Sequence, residues 1–239
     1  MQVKSYSQFG EDIQLLRFFK EKSSGYYVDI GANNGLRDSN TALLEEQGWS
    51  GLLIEANPDL IELAIESRPN SKVIHCAVVS PENVGDIDFY KVVGGSKNLD
   101  GLSTVVYSSS FDSKIRDYGG IVHKTSVPAM TLETILRTNN SPGKFDLLSI
   151  DVEGYELAVL KSIPFTYFSP KIILVEDNSR GRDCSVRDFL KKYGYIRVHR
   201  TGVNDWYVKH KDSIFFRKQK LILTFKLMKW QIERYLGVV

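Results

Sequence analysis

Hydrophobic positions follow two periods that alternate along the chain. Runs of consecutive apolar residues, typical of buried strands, lie at 26–30, 49–55, 72–79, 145–150, 171–176 and 195–199, and a seventh strand is expected at 213–217. Between these runs, apolar residues three and four positions apart indicate helices at 39–48, 60–67, 131–136, 153–162 and 186–193. Strands that alternate with helices predict an α/β fold with a mostly parallel sheet and right-handed crossovers.

Two segments depart from this alternation. A helix is predicted ahead of the first strand, with Ser7 as its N-cap, and Ser39 is the expected N-cap of the next helix. Residues 80–130 form an insertion with two extra strands, at 86–93 and 121–127. We interpret this insertion as a wall of the substrate site.

The composition is that of a globular protein with one main domain, residues 1–218. Of its 239 residues 42% are hydrophobic and 25% are charged, which is enough to bury a core without disulfides. The two cysteines form no paired motif, and neither a signal peptide nor a membrane-spanning run is expected, so we predict a cytoplasmic protein. The net charge of +2 does not argue for nucleic acid, and a nucleic-acid acceptor is disfavoured because no basic face with interleaved aromatic residues occurs outside the tail described next.

A basic, amphipathic tail follows at residues 219–239, in which lysines and an arginine alternate with large apolar side chains. Such a helix can lie on the anionic inner face of a membrane. The alternative, which we favour, is that it packs on its own domain or on the partner in a homodimer.

The first turn between a strand and a helix carries the strongest chemical signal. It reads Gly31-Ala32-Asn33-Asn34-Gly35, whereas a dinucleotide site prefers Gly-x-Gly-x-x-Gly. Asp29, two residues before the first glycine, would repel phosphate. Its carboxylate suits a cationic or hydroxylated ligand such as an amino acid–nucleoside sulfonium.

Glu55 gives the second signal, because it ends the second predicted strand twenty residues after Gly35. An acid at this place accepts hydrogen bonds from both hydroxyls of a ribose. The alternative is a generic Rossmann-like site for another nucleotide.

Acidic residues also follow the fourth and fifth predicted strands. Asp151 and Glu153 lie where cofactor and substrate would meet, and either could act as a general base; the alternative is that they stabilise a helix N-terminus. Asp151, Asp177 and Asn178 could instead bind Mg²⁺ or Mn²⁺, unless Asp177 and Asn178 only cap a turn. His199 is the alternative base.

The loop 202–207 could close over the acceptor with Trp206 and Tyr207, or these two aromatic side chains could pack in the core.

Together, the motifs SQFGED, YVDIGANNG, GWSGLLIEANP, GLSTV, LLSIDVEGYELAVLKS and VEDN resemble the FkbM-type methyltransferases over residues 5–218. The resemblance implies a class I methyltransferase, Rossmann-like fold with helices on both faces of a seven-stranded sheet, and S-adenosylmethionine as cofactor. It is incomplete at Ser149, where many relatives carry Lys. The matching cofactor positions are Asp29, Gly31, Ala32, Gly35, Glu55 and Asn57, and we predict further cofactor contacts from Asn33, Ser39, Ala56, Ala77 and Asp151.

The function implied by the resemblance is methyl transfer to a hydroxyl oxygen, in many relatives that of a sugar or glycan. Two alternatives stay open. One is a non-catalytic module that binds the cofactor, and the other is an NAD-dependent enzyme that modifies sugars.

Overall fold

The computed structural model describes residues 4–20, 22–95, 99–179, 181–219, 221 and 223. Its helices are α1 (Glu11–Phe18), α2 (Ala42–Glu46), α3 (Ile61–Ser67), α4 (Ser109–Asp117), α5 (Leu132–Thr138), α6 (Glu156–Lys161) and α7 (Ser185–Lys191). Its strands are β1 (Tyr26–Ile30), β2 (Ser50–Glu55), β3 (Lys72–His75), β4 (Ala77–Val78), β5 (Gly85–Gly94), β6 (Gly120–Met130), β7 (Lys144–Ile150), β8 (Ser169–Glu176), β9 (Tyr195–Thr201) and β10 (Asn204–Lys209).

Seven of these strands form the central sheet, in the order β3-β2-β1-β7-β8-β10-β9. All neighbours are parallel except at β10, which is antiparallel to both β8 and β9. The chain moves outward from β1 to β3 and then returns to build the other half from β7. The order therefore reverses between β1 and β7, and in open parallel sheets ligands bind beyond the carboxyl ends of the strands at this switch point.

Both faces of the sheet are buried, which explains why the strands read as continuous apolar runs. In β1, Val28 packs with residues of α5, α6 and α7 on one face, whereas Tyr27 packs with residues of α1 and α2 on the other. The predicted α/β fold, its mostly parallel seven-stranded sheet and the helices on both faces are confirmed.

The insertion is a second, small sheet with the order β4-β6-β5. Its two predicted strands are confirmed as β5 and β6, which pair antiparallel from Gly85 opposite Ala129 to Gly94 opposite Gly120. The third predicted strand, in contrast, is divided at Cys76. Its first half, β3, stays with β2, and its second half, β4, pairs with β6, so the small sheet begins directly beside the end of the large one.

The prediction of a strand at 213–217 is wrong. The seventh strand is β10, which forms a hairpin with β9, and His210–Phe216 is a 3-10 helix. Trp206 and Tyr207 are buried in this hairpin, so the alternative in which they pack in the core is confirmed and the closing loop is not.

Two predicted helix caps also differ from the structure. Gly10, in the left-handed region, precedes α1, while Ser7 forms an isolated bridge with Asp38. Thr41 is the N-cap position of α2, although the Ser39 hydroxyl accepts a hydrogen bond from the Ala42 amide at 3.1 Å and so helps to cap that helix.

The predicted tail lies outside the described residues except for residues 219, 221 and 223. Among the residues that the structure describes, no helix has the length and apolar character needed to cross a membrane.

Candidate active site

A cavity of about 430 Å³ opens at the carboxyl ends of β1, β2, β7 and β8, and the insertion forms its far wall. This volume lies in the range of small-molecule sites. The predicted site residues that line it are Asp29, Gly31, Ala32, Asn33, Ser39, Glu55, Ala56, Asn57, Ala77, Asp151 and Glu153. The insertion contributes Phe89 and the segment 100–105.

Gly31 makes room where the backbones of two strands converge. Its φ is +80°, and a Cβ atom at this position would lie 1.7 Å from the carbonyl oxygen of Asp151. The Asp151 amide in turn donates to the Ile30 carbonyl at 2.9 Å. Only glycine fits this contact, because it tolerates positive φ and carries no side chain.

Glu55 is held by backbone amides at the end of β2. Its two carboxylate oxygens accept hydrogen bonds from Asn33 N at 2.8 Å and Asn57 N at 2.7 Å. Burial raises the pKa of this carboxyl, and the amide donors oppose that rise. A carboxylate offers about four acceptor positions, so Glu55 retains capacity for two hydroxyl groups of a ligand.

Asp29, at the end of β1, receives side-chain donors. Thr41 Oγ1 donates to Asp29 Oδ2 at 2.6 Å, and Ser149 is a further donor. Ser149 itself accepts a hydrogen bond from Asn40 Nδ2 at 3.1 Å. Burial raises the pKa of Asp29, while these hydroxyls and the nearby charge of Arg68 lower it.

Three carboxylates cluster on the opposite side of the cavity. One oxygen each of Asp151, Glu153 and Glu176 lies within 4.8 Å of the others. Burial and the charge of Glu176 raise the pKa of Asp151 well above its usual value. Burial together with neighbouring acids also raises the pKa of Glu153 to about 8 and that of Glu176 to about 7. Glu153 and Glu176 are therefore placed to exchange protons near neutral pH.

The insertion holds the loop that carries this cluster. Thr104 Oγ1 donates to the carbonyl oxygen of Glu153 at 3.1 Å. Glu153 adopts a φ of 50°, a conformation that costs a residue other than glycine of the order of 1–3 kcal/mol. Strain of this kind persists where the surroundings enforce it, and Thr104 is one group that does so.

Arg37 and Asp100 tie the two sides of the cavity together. Arg37 Nη1 donates to both carboxylate oxygens of Asp100, at 3.0 and 2.9 Å. Both residues line the cavity, Arg37 from the segment after the glycine turn and Asp100 from the insertion. Arg37 is the single cationic side chain among the cavity-lining residues that the structure describes.

The acids of the SQFGED motif fold the segment that brings Gln8 to the cavity. Asp12 accepts hydrogen bonds from the amide of Tyr6 at 2.6 Å and from the hydroxyl of Ser7 at 2.8 Å. Glu11 accepts from the Phe9 amide and from two side chains of the β9–β10 hairpin. The motif therefore fixes the N-terminal segment onto the sheet.

Some predicted site residues lie elsewhere. His199, on β9, makes a hydrogen bond with Gln14 at 2.9 Å and packs against Trp206, so it is not placed to act as a base in the cavity. Gly35 does not line the cavity; its carbonyl accepts from Arg68, and a Cβ there would meet α3.

The predicted metal-ligand set is wrong in two of its three members. Asp177 accepts from the amides of Ser179 and Gly181 and pairs with Arg200 at 2.7 Å, so its carboxylate caps a turn. Asn178 contacts Glu176 and does not line the cavity.

Sequence reasoning missed several residues that line the cavity or support it. The strand pattern could have identified Glu176. It is the last residue of the buried strand β8, which lies next to β7, and Asp151 directly follows β7. Thr104 belongs to a recognised motif without an assigned role. Arg68, which lies at the end of a helix, had no local signal at all.

The geometry agrees with a comparison with known protein families. The family described as "Methyltransferase FkbM domain" matches residues 29–197. The chain belongs to the FkbM methyltransferase family. It is therefore an S-adenosylmethionine-dependent methyltransferase, and the family favours this cofactor over NAD.

Solved structures with a similar fold share little sequence identity with this chain. A TehB-like SAM-dependent methyltransferase from Corynebacterium glutamicum is 13% identical, with 85% of this chain and 89% of that chain covered and a TM-score of 0.42. Precorrin-6y C5,15-methyltransferase from Geobacter metallireducens is 10% identical, with 87% of this chain and 91% of that chain covered and a TM-score of 0.44. TrmK from M. capricolum, in complex with S-adenosylhomocysteine, is 8% identical, with 82% of this chain and 66% of that chain covered and a TM-score of 0.41. No curated protein matches the chain significantly.

Proposed function

We propose that this FkbM-family protein transfers a methyl group to a hydroxyl oxygen of a sugar or glycan. The observation that carries the proposal is the position of Glu153, a carboxyl with a pKa raised to about 8 that lines the same cavity as Asp29 and Glu55. An alcohol is a poor nucleophile until its proton has an acceptor, and a base is most effective when its pKa lies near the working pH.

The residues of the cavity fit the cofactor. S-adenosylmethionine supplies the methyl group on its sulfonium sulfur. Glu55 would accept hydrogen bonds from the ribose hydroxyls of the cofactor and Asp29 from its ammonium group, and Gly31 would leave space beside them, since all three residues line the cavity. The negative charge of these acids also suits a ligand that carries a sulfonium.

Glu153 is the proposed base, and Asp151 and Glu176 support it. Burial and the adjacent charges raise the pKa of Asp151 well above its usual value, and its hydrogen bond with Glu176 helps to keep a proton on Asp151. Glu153 would take the proton of the acceptor hydroxyl, and the bound cofactor would supply the methyl group: its sulfur–carbon bond would break as the oxygen–carbon bond forms, with S-adenosylhomocysteine as the leaving group. The Thr104 hydroxyl holds the Glu153 backbone in place for this step.

The wall of the cavity suits a neutral, hydroxylated acceptor. The insertion presents Ser103 and Thr104 beside the apolar side chains of Phe89 and Val105, and Tyr155 follows the acidic loop. The apolar side chains match the apolar faces of a sugar ring, and the two hydroxyls, which donate to the carbonyls of Asp100 and Glu153, keep acceptor capacity for its polar edge.

A divalent cation is the alternative way to activate the acceptor. Asp151, Glu153 and Glu176 offer three oxygen ligands, the type that Mg²⁺ and Mn²⁺ prefer, and a cation would offset the repulsion among them. Held there, the cation would polarise the hydroxyl directly. This proposal keeps Asp151 from the predicted set and replaces Asp177 and Asn178.

The purified chain tests these proposals with S-adenosylmethionine labelled in its methyl group. We expect label to enter sugars or oligosaccharides in a panel that also contains catechols, amines and RNA. Transfer only to an amine or to RNA would overturn the sugar proposal, and the absence of S-adenosylhomocysteine binding would overturn the cofactor site. Activity that survives EDTA supports Glu153 as base, whereas activity that needs added Mn²⁺ supports the cation.

The partner predictions stay proposals as well. We propose that the tail packs on its own domain or on a second copy, with contact to an anionic membrane as the alternative. Binding of the full chain and of a chain that ends at Lys218 to anionic vesicles separates these outcomes.

A further inference from the structure

Arg68 is a fully buried cation that lies at the carboxyl end of α3, with 2% of its surface exposed. Burying an arginine is costly unless its charge and all its donors are satisfied. Glu45 of α2 satisfies the charge, since Arg68 Nε donates to Glu45 Oε2 at 2.8 Å. Tyr27 and Ser71 bond to the same glutamate, so this end of the network is a neutral, well-paired unit.

Of the other donors of Arg68, Nη2 donates to the Tyr27 hydroxyl at 2.6 Å, and both terminal nitrogens also reach segments that border the cofactor cavity. Nη1 donates to the carbonyl oxygen of Gly35, at the end of the glycine turn, at 2.7 Å. Nη2 donates to Thr41 Oγ1 at 3.0 Å. One side chain therefore contacts both the turn that makes room for the cofactor and the segment that leads into α2.

Thr41 links this buried cation to Asp29. Its hydroxyl accepts from Arg68 and donates to Asp29 Oδ2 at 2.6 Å, a much shorter contact than the 3.4 Å to Ser39 Oγ, so the proton of the hydroxyl points towards Asp29. Thr41 is itself fully buried, and Asp29 lines the cavity. The relay reaches from α3 to the cavity without contact between Arg68 and a ligand.

The charges around Asp29 make such a relay necessary. Arg68 faces it from α3, and the acids Glu55 and Asp151 face it from the ends of β2 and β7. Glu55 repels the Asp29 carboxylate, and Asp151 adds to this repulsion whenever it loses its proton. A fixed hydroxyl donor backed by a cation keeps the Asp29 carboxylate in one orientation in spite of that repulsion.

We propose that Thr41 and Arg68 are positioning residues for the cofactor: the Arg68–Thr41 relay orients the Asp29 carboxylate so that it accepts hydrogen bonds from the ammonium group of S-adenosylmethionine. The proposal rests on the proposed function in so far as the ammonium group is assigned to Asp29. It adds two residues to the site, and neither of them lines the cavity.

Two ligands distinguish this role from a merely structural one. S-adenosylhomocysteine carries the ammonium group, whereas 5′-methylthioadenosine contains the adenosine and lacks the amino acid. Titration calorimetry with both ligands is done on the full chain, on Thr41→Val, which keeps the shape and removes the hydroxyl, and on Thr41→Ser, which restores the hydroxyl.

The relay predicts a selective loss. Thr41→Val should weaken S-adenosylhomocysteine about tenfold, the effect of one hydrogen bond to a charged group, and leave 5′-methylthioadenosine within about twofold. Thr41→Ser should regain most of the lost affinity. Ser71→Ala is the matched control, because it removes a hydrogen bond at the Glu45 end of the network and should not discriminate between the ligands.

Other results would overturn the relay. Equal weakening of both ligands by Thr41→Val means that Thr41 only supports the fold, and unchanged affinity for S-adenosylhomocysteine means that Asp29 needs no relay. Combining Thr41→Val with Asp29→Asn should add little to the effect of Asp29→Asn alone, because the two residues act as a unit. If Thr41→Val does not fold, Thr41→Ala takes its place.

Failure of the proposed function gives a different outcome. In that case the parent protein itself would not bind S-adenosylhomocysteine, whatever residue stands at position 41.

Discussion

The carboxylates at the two ends of the cavity lie in contrasting environments. At the cofactor end, Glu55 accepts from two backbone amides and Asp29 from two hydroxyls, so these acids are oriented before a ligand arrives. At the other end, Asp151, Glu153 and Glu176 lie next to one another, and burial and mutual repulsion raise their pKa values. We therefore expect the same chemical group to serve for binding where donors surround it and for proton transfer where other acids do.

Removal of the proposed base tests this contrast most strongly. In Glu153→Gln we expect kcat to fall by about 10²- to 10⁴-fold, the usual contribution of a general base, while the affinity for S-adenosylhomocysteine stays within about twofold. Methyl transfer to the best acceptor and calorimetry provide the two readings. Glu66→Gln, an exposed change on α3, is the control. Full activity of Glu153→Gln would transfer the role of base to another residue.

Gly31→Ala would damage both ends together. Positive φ and a contact of 1.7 Å with the Asp151 carbonyl should lower the free energy of unfolding by about 3 kcal/mol or more, by strain and by overpacking. Urea denaturation measures this loss. Gly10→Ala has a similar φ of +79° and open space around it, so it reports the strain alone. Equal losses in the two variants would mean that the backbone after β7 moves away from the added methyl group with little loss of stability.

Glu55→Gln affects the cofactor end alone. The amide side chain has one acceptor oxygen, so one of the two backbone amides would face an NH₂ group. We expect affinity for S-adenosylhomocysteine to fall by about 2–3 kcal/mol, or roughly 30- to 150-fold. Calorimetry of the folded variant measures it, and an affinity equal to that of the parent would remove Glu55 from the site.

The pH dependence of stability provides a smaller effect, of definite sign. The folded protein raises the pKa of Glu153 from 4.5 to about 8, so it holds a proton that the unfolded chain loses above about pH 4.5. The stability that this proton contributes is complete below that pH and is lost as the pH rises through about 8.

Glu153→Gln imitates the protonated side chain, so its Tm should match the parent at pH 5. At pH 9 its Tm should exceed that of the parent by several degrees, since each 1 kcal/mol of stability moves the Tm of a chain this size by about 2–4 °C. Thermal unfolding at the two pH values checks this. An equal difference at both would mean that repulsion in the cluster does not matter.

Local patterns predicted most elements and the residues that line one end of the cavity. Buried strands read as apolar runs, and Asp29, Gly31 and Glu55 stand at fixed places relative to the ends of those strands. The same approach failed where residues are distant in sequence. His199 ends the predicted strand 195–199, yet β9 continues to Thr201 at the edge of the sheet and His199 contacts Gln14 of α1. Asp177 follows a strand as Asp151 does, yet Arg200 of the neighbouring hairpin pairs with it.

The amino-acid sequence by itself determined the order of the elements and the residues that must lie at the ends of β1, β2 and β7, because strand period and glycine turns are local properties. Only the tertiary structure decided that Glu176 joins Asp151 and Glu153, that Thr104 supports their loop, and that Arg68 reaches Asp29 through Thr41. These contacts connect residues that are far apart in the sequence, by as much as 49 positions for Thr104 and Glu153. Which such pairs meet depends on how the sheet and its insertion pack, and no local pattern encodes that choice.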